Sequence, residues 1–293
     1  MLKGVREYLY NSLKTMLFFG VVWFILALCW IITGARLTSL LWFVVLGLVI
    51  SAAAYWCSSK FVIFSMRAVE VTEEEETILY GIVRELSARI GKPMPHVMVS
   101  PFESPNAFAT GRSERHASIC CTRGLLNILN ERELRGVIGH ELMHIYNHDI
   151  LASAISAATA TVLTYAGSWL VYVGNTHRDD VRKHCKLIGK GLNMLFAPVA
   201  SVLMKINIPV SREFDADRSG SEITGDSIAL ASALNKIVYG LQIYEMKSTA
   251  GLQAVALLMI IHPWIDCDSA LVRLRESHPS VKERIGQLMR AVA

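Results

Sequence analysis

Between Lys14 and Arg36 the chain carries no charged residue, and a second uncharged stretch runs from Leu37 to Ser59. The first holds Leu-Phe-Phe, Trp-Phe-Ile-Leu and Trp-Ile-Ile between Met16 and Thr33, long enough to cross a hydrocarbon core of about 30 Å as a helix. With only a short turn around Gly34 and Arg36 between them, the two runs predict a transmembrane hairpin. A signal peptide is a poor alternative, because the apolar run is too long and no small-residue cleavage site precedes the second span. Overall, 53% of the 293 residues are hydrophobic, more than a soluble domain usually carries.

Two further apolar stretches follow. Ile150 to Thr176 is uncharged and long enough to span. Leu187 to Ile208 is interrupted by Lys190 and Lys205, and reads as a fourth span or as a helix buried beside the third, its lysines snorkelling. About four transmembrane helices are therefore expected, with 1–64 as an N-terminal hairpin and 150–208 as a second apolar pair. An even number of spans puts both polar segments, 65–149 and 209–293, on one side. Lys3, Arg6, Lys14, Lys60 and Arg67 assign that side to the cytoplasm. The loop from Asn175 to Lys186 argues the other way, since Arg178, Arg182, Lys183 and Lys186 would lie outside. The six cysteines form neither a C-x-x-C ligand pattern nor a disulfide scaffold, which suits a reduced compartment.

The chemistry sits at the end of the first polar segment, in Gly139-His140-Glu141-Leu142-Met143-His144. This is an HExxH pattern. Asn130 and Glu133 read as a capping box, and Leu134, Val137, Ile138, Leu142 and Ile145 recur at helical spacing, so the motif falls on a helix. Four residues of helix return His140 and His144 to one face, where both imidazoles can reach one Zn²⁺ while Glu141 holds its water. His148 continues the stripe, but about 12 Å of axis separates it from His140, too far for bonds of about 2 Å. A third ligand is better sought in Ser211-Arg212-Glu213-Phe214-Asp215-Ala216-Asp217. There Glu213 could ligate zinc and Asp217, four residues on, could accept the free N–H of a ligand histidine. Taken alone, that stretch reads better as an acid-rich helix start, and the pairing with the upstream HExxH pattern favours the ligand reading.

Elsewhere, Thr72 with Glu73 to Glu76 reads as a helix start capped by Thr72 and Glu75. Short strands are expected at Val97–Val99, Phe108–Ala109 and Ser118–Thr122. The whole is read as a mainly α integral membrane protein with an α+β domain carrying a small sheet.

These motifs together, with Asn106-Ala-Phe-Ala-Thr-Gly111, Asn147-His-Asp149, the run Glu222 to Leu234, Ser277-His-Pro279 and Arg284-Ile-Gly-Gln-Leu288, resemble the HtpX heat-shock membrane metallopeptidases over nearly the whole chain. The resemblance implies a gluzincin-like catalytic fold and one Zn²⁺ per chain on His140, His144 and Glu213. It further implies Glu141 as the catalytic base, with Asp217 behind a ligand histidine. Asn106, Ala107 and Phe108 would form an edge strand that binds extended substrate, and His278 would help hold the oxyanion. Misfolded or damaged membrane proteins would be the substrates, the lipid bilayer the setting, and no nucleic-acid partner is expected. The alternatives are a C-A-A-X-type processing protease, disfavoured by having only two spans before the catalytic segment, and a non-proteolytic membrane chaperone or scaffold. The stretch from Thr249 to Arg275, with His262, has no motif role.

Overall fold

The computed structural model describes residues 34–155, 157, 210–247, 249–264 and 279–290, with scattered positions from 13 to 31. Those scattered positions are helical, and the chain reverses through Gly34 and Ala35, both at positive φ, into helix α1, Leu37–Ser65. The Trp30 indole closes the turn by donating to the Arg36 carbonyl at 3.1 Å. Further along, the Trp23 ring lies so close to Gly47 that a Cβ there would meet it at 2.8 Å. The Trp23 and Trp30 contacts bring described positions of the first apolar run against the start and middle of α1.

With 29 residues, α1 is about 44 Å long. Its most apolar window has a mean hydropathy of 2.3 and is only 6% buried, so side chains such as Leu41, Trp42 and Leu48 face outward. Among the described residues it is the one helix long and apolar enough to cross a bilayer. The expected third and fourth spans and the loop at 175–186 lie outside the described residues, except that 150–155 and 157 are helical. At its far end α1 enters the polar domain without a linker. Val62 and Met66 are fully buried among Met98, Phe108, Cys120 and Met259, and Ser100 Oγ donates to the Met66 carbonyl at 2.6 Å.

Strand β1 (Val69–Glu70), helix α2 (Thr77–Ile90), and strands β2 (His96–Ser100), β3 (Ala107–Gly111) and β4 (Ala117–Thr122) come next. The sheet order is β1-β2-β4-β3, with β2 and β4 parallel and the other pairs antiparallel. All three expected strands are present and slightly longer; β1 has only two residues, too few to show an alternation. α2 starts later than its acidic run implied. Glu75 does reach back to the Thr72 N–H at 2.8 Å, but it closes a separate turn, and the helix begins at Thr77. Successive side chains of a strand take opposite faces. On β4, Cys121 therefore joins the main core with Leu86, Ile119, Leu142 and Leu234, while Cys120 points to the α1 end; both are buried free thiols.

Helix α3 (Arg123–Ile128) leads into the motif helix α4, Glu131–Tyr146. Its capping box forms as read from the sequence: Asn130 Oδ1 accepts from Glu133 N at 2.9 Å, and Glu133 Oε2 accepts from Asn130 N at 3.0 Å. Glu133 is further held by Lys236 at 2.8 Å and Ser232 at 2.7 Å, tying the start of α4 to helix α6 (Ser227–Ile243). α4 does not run on into the next apolar stretch. It ends at Asn147, and His148 takes a left-handed conformation (φ +61°) before Asp149. Helix α5 (Val210–Thr224) then packs along α4, followed by α7 (Ala250–Val255), a 3-10 turn at Ala256–Leu258 and α8 (Val281–Arg290); a second 3-10 turn, Glu114–His116, precedes β4.

Candidate active site

Two glycines set how closely α4 and α5 approach. A Cβ on Gly139 would lie 3.0 Å from the Gly220 carbonyl oxygen, and one on Gly220 would lie 2.8 Å from the His140 nitrogen. Here backbone meets backbone. The contact places His140 against the α5 face that carries Glu213 and Asp217, four residues apart and both buried. The charged residues on the other side, Asp215, Arg218 and Glu222, pair among themselves near solvent. The acids of α5 are therefore divided between a buried face and an exposed one. Gly220→Ala is expected to push the helices apart, destabilising the fold by about 1–3 kcal/mol and weakening metal binding. Thermal unfolding and metal content after dialysis measure both effects.

His140, His144 and Glu213 converge, each offering one ligand atom within 4.8 Å of the others. His140 Nε2 and His144 Nε2 are 3.1 Å apart, His140 Nε2 is 3.7 Å from Glu213 Oε2, and His144 Nε2 is 3.5 Å from Glu213 Oε1. Tetrahedral ligands about 2.0–2.1 Å from a zinc ion lie about 3.3 Å from one another. The donor set and its spacing thus fit zinc with three protein ligands and one open position. Glu141, also buried, lies beside it, and its carboxylate accepts the backbone N–H of Ala109. These residues line a cavity of about 20 Å³ with Ala109, Asp149, Ile150, Leu258 and Ile260, room for about one water.

Charged partners orient the two histidines. Asp217 Oδ1 lies 2.9 Å from His140 Nδ1 and also accepts from Arg284 Nη2 at 2.6 Å, while Arg284 Nε donates to Asp217 Oδ2 at 2.8 Å. With Nδ1–H on Asp217, the lone pair of His140 Nε2 points into the site. Asp149, brought back by the turn after α4, lies 3.4 Å from His144 Nδ1 and 3.7 Å from Arg212. Burial, with the positive charge of Arg284, lowers His140 to about 4, so its imidazole is neutral as a ligand must be. Burial opposes ionisation of Asp217, but Arg284 outweighs it and holds the carboxylate at about 2. His144 is raised to about 9, burial being overcome by Glu213 and Asp149, so a metal must displace its proton. Burial and the charge of Glu213 raise Glu141 to about 7; a bound dication acts in the opposite sense.

Residues 73–292 match peptidase family M48. Proteins described as protease HtpX homologues are similar along their whole length. That of Bifidobacterium longum is 51% identical, the alignment covering 96% of this chain and 92% of the relative. That of Paenarthrobacter aurescens is 45% identical over 96% of each. The chain belongs to the HtpX proteases of peptidase family M48. A more distant HtpX homologue, from Paraburkholderia phytofirmans, is 37% identical over 96% of this chain and 97% of its own. Among solved structures, S. mikatae Ste24p is similar with a TM-score of 0.49 and 18% identity, over 98% of this chain and 67% of that one. Membership of M48 makes the chain a metallopeptidase, and its long apolar helix is in keeping with a membrane protease.

The remaining expected site residues fall in different places. Asn106, Ala107 and Phe108 are fully buried on or beside edge strand β3: the Asn106 amide binds Ile261, and Phe108 packs under the end of α1. His278 lies outside the described residues. His148 turns away from the histidine pair toward Glu114, 3.5 Å distant. The His262 ring stands edge-on to Trp264 with centroids 5.5 Å apart. Arg284 and Asp149 stand in the sequence only inside longer motifs, with no site role of their own. The signal for Asp149 was its place just past the helix-ending Asn147-His148, where a reversing chain returns to His144. Arg284 carried no local signal beyond a basic residue on an amphipathic helix.

Proposed function

We propose that the chain is a zinc endopeptidase of the membrane that cuts misfolded or damaged membrane proteins at the cytoplasmic surface, as part of stress-linked protein quality control. The observation that carries this reading is the convergence of His140, His144 and Glu213 beside Glu141, in a domain built directly onto the end of the apolar helix α1. The basic residues flanking the N-terminal hairpin support the cytoplasmic side. The family supports polypeptide substrates.

His140, His144 and Glu213 would hold one zinc ion. When bound, zinc supplies Lewis-acid polarisation of a carbonyl and makes a water more acidic. Glu141 takes the proton of the attacking water and passes it to the leaving amine, while the Ala109 N–H keeps its carboxylate aimed. Asp217 and Asp149 keep the two imidazoles turned so that each Nε2 faces the metal position. No side chain forms an acyl intermediate in this scheme.

The test uses the full chain, purified in detergent with chelator, dialysed, and reloaded with zinc. Cleavage of unfolded casein and of a destabilised membrane protein is expected only after reloading, with one zinc bound per chain. A zinc-loaded chain that leaves both substrates intact defeats the proposal.

A further inference from the structure

We infer that Ala256 to Ile261 is a built-in wall of the substrate cleft, closing the Ala107 end of β3, and that Leu258 decides which substrate side chains fit beside the scissile bond. The inference rests on the peptidase reading above. In an antiparallel pair, alternate residues turn their backbone groups toward the partner strand. The Asn106 carbonyl accepts from Thr122 N at 2.9 Å, so Asn106, Phe108 and Thr110 face β4. Ala107, Ala109 and Gly111 therefore face the other edge, which no described strand covers and where an extended peptide would add as a further strand.

One end of that edge is already taken. The Ala107 carbonyl accepts from Ile260 N at 2.9 Å. Asn106 grips the next residue from both sides, with Nδ2 donating to the Ile261 carbonyl at 2.7 Å and Oδ1 accepting from Ile261 N at 3.4 Å. Arg284 Nη1 donates to the Ile260 carbonyl at 2.8 Å. Met259, Ile260 and Ile261 are all buried, so this segment is anchored through both backbone and side chains. A substrate strand cannot pair with Ala107 without breaking these bonds.

Among the described residues, the part of this edge without a backbone partner begins at the Ala109 carbonyl, the Ala109 N–H being held by Glu141 beside the metal-ligand set. It runs toward Gly111, next to Ile150 at the head of the third apolar run. A peptide laid on Ala109 would run toward Ile150 in one direction and meet Leu258 and Ile260 in the other. Both side chains line the small cavity that also holds His140, Glu141, His144 and Glu213. Leu258 forms part of its lining, so its bulk limits the substrate residue next to the reacting carbonyl.

Cleavage maps test this. The zinc-loaded full chain and its Leu258→Ala and Leu258→Trp variants digest unfolded casein, and mass spectrometry assigns every cut. Zinc content and thermal unfolding are measured in parallel. Leu258→Ala is expected to raise cutting beside large apolar side chains about tenfold relative to cutting beside small ones, and Leu258→Trp to shift the ratio the other way. Either shift in a zinc-replete variant supports the wall. Variants that cut the same bonds in the same proportions as the native chain overturn it. A native chain that cuts nothing when loaded with zinc overturns the proposed function, and the wall with it.

Discussion

Glu141→Gln is expected to remove cleavage of unfolded casein, lowering turnover by at least about 10²–10⁴-fold, while the chain keeps its zinc. The amide has the shape of the carboxylate and fits the same buried place under Ala109, but it has no basic oxygen to take a proton from water. The metal should be unaffected, because His140, His144 and Glu213 and the acids behind the histidines are all left in place. Glu213→Ala serves as the contrast, since it removes one of the three ligand side chains and should lose metal and activity together. Turnover and bound zinc are measured on the same preparations, with a mock purification to exclude host proteases. A Glu141→Gln chain that retains zinc and cuts casein within tenfold of the native rate would remove Glu141 from the mechanism.

Much of this site was readable from local spacing. The Asn130 and Glu133 cap, the apolar stripe and the i, i+4 histidines all depend on a single helix, whose periodicity shows directly in the sequence. Glu213 and Asp217 were legible for the same reason, on a second helix. What brings the helices together is less visible: Gly139 and Gly220 look like weak helix formers until a crossing requires backbone contact. The late start of α2 reflects a tertiary choice, because Arg84 and Arg123 draw Glu73 and Glu76 into ion pairs while Glu75 closes a turn. The place of Ala256–Ile261 along β3 could not be read at all. Pairing between residues about 150 apart leaves no periodic trace, and the apolar Leu-Leu-Met-Ile-Ile run suits a buried helix as well as a buried strand.

Arg284 carries the second large expectation. It is among the largest fully buried side chains in the described residues, and its guanidinium makes a bidentate pair with Asp217 and a bond to the Ile260 carbonyl. Arg284→Met leaves Asp217 charged and buried, with only His140 to answer it. Breaking a buried pair on one side typically costs about 3–5 kcal/mol, and disturbing the carboxylate behind a metal ligand about 10–100-fold in metal affinity or activity. Arg284→Lys should recover little, because an ammonium cannot form the two parallel bonds and also reach Ile260. The informative variant is the double one. Asp217→Asn with Arg284→Met removes both charges, so stability should return toward native while zinc affinity stays low, His140 having lost its charged acceptor. Thermal unfolding and zinc titration of the native chain, both single variants and the double variant separate these effects. If Arg284→Met matches the native chain in both measurements, the guanidinium is only filling space. If stability and zinc affinity recover together in the double variant, Asp217 supports the fold without tuning the ligand.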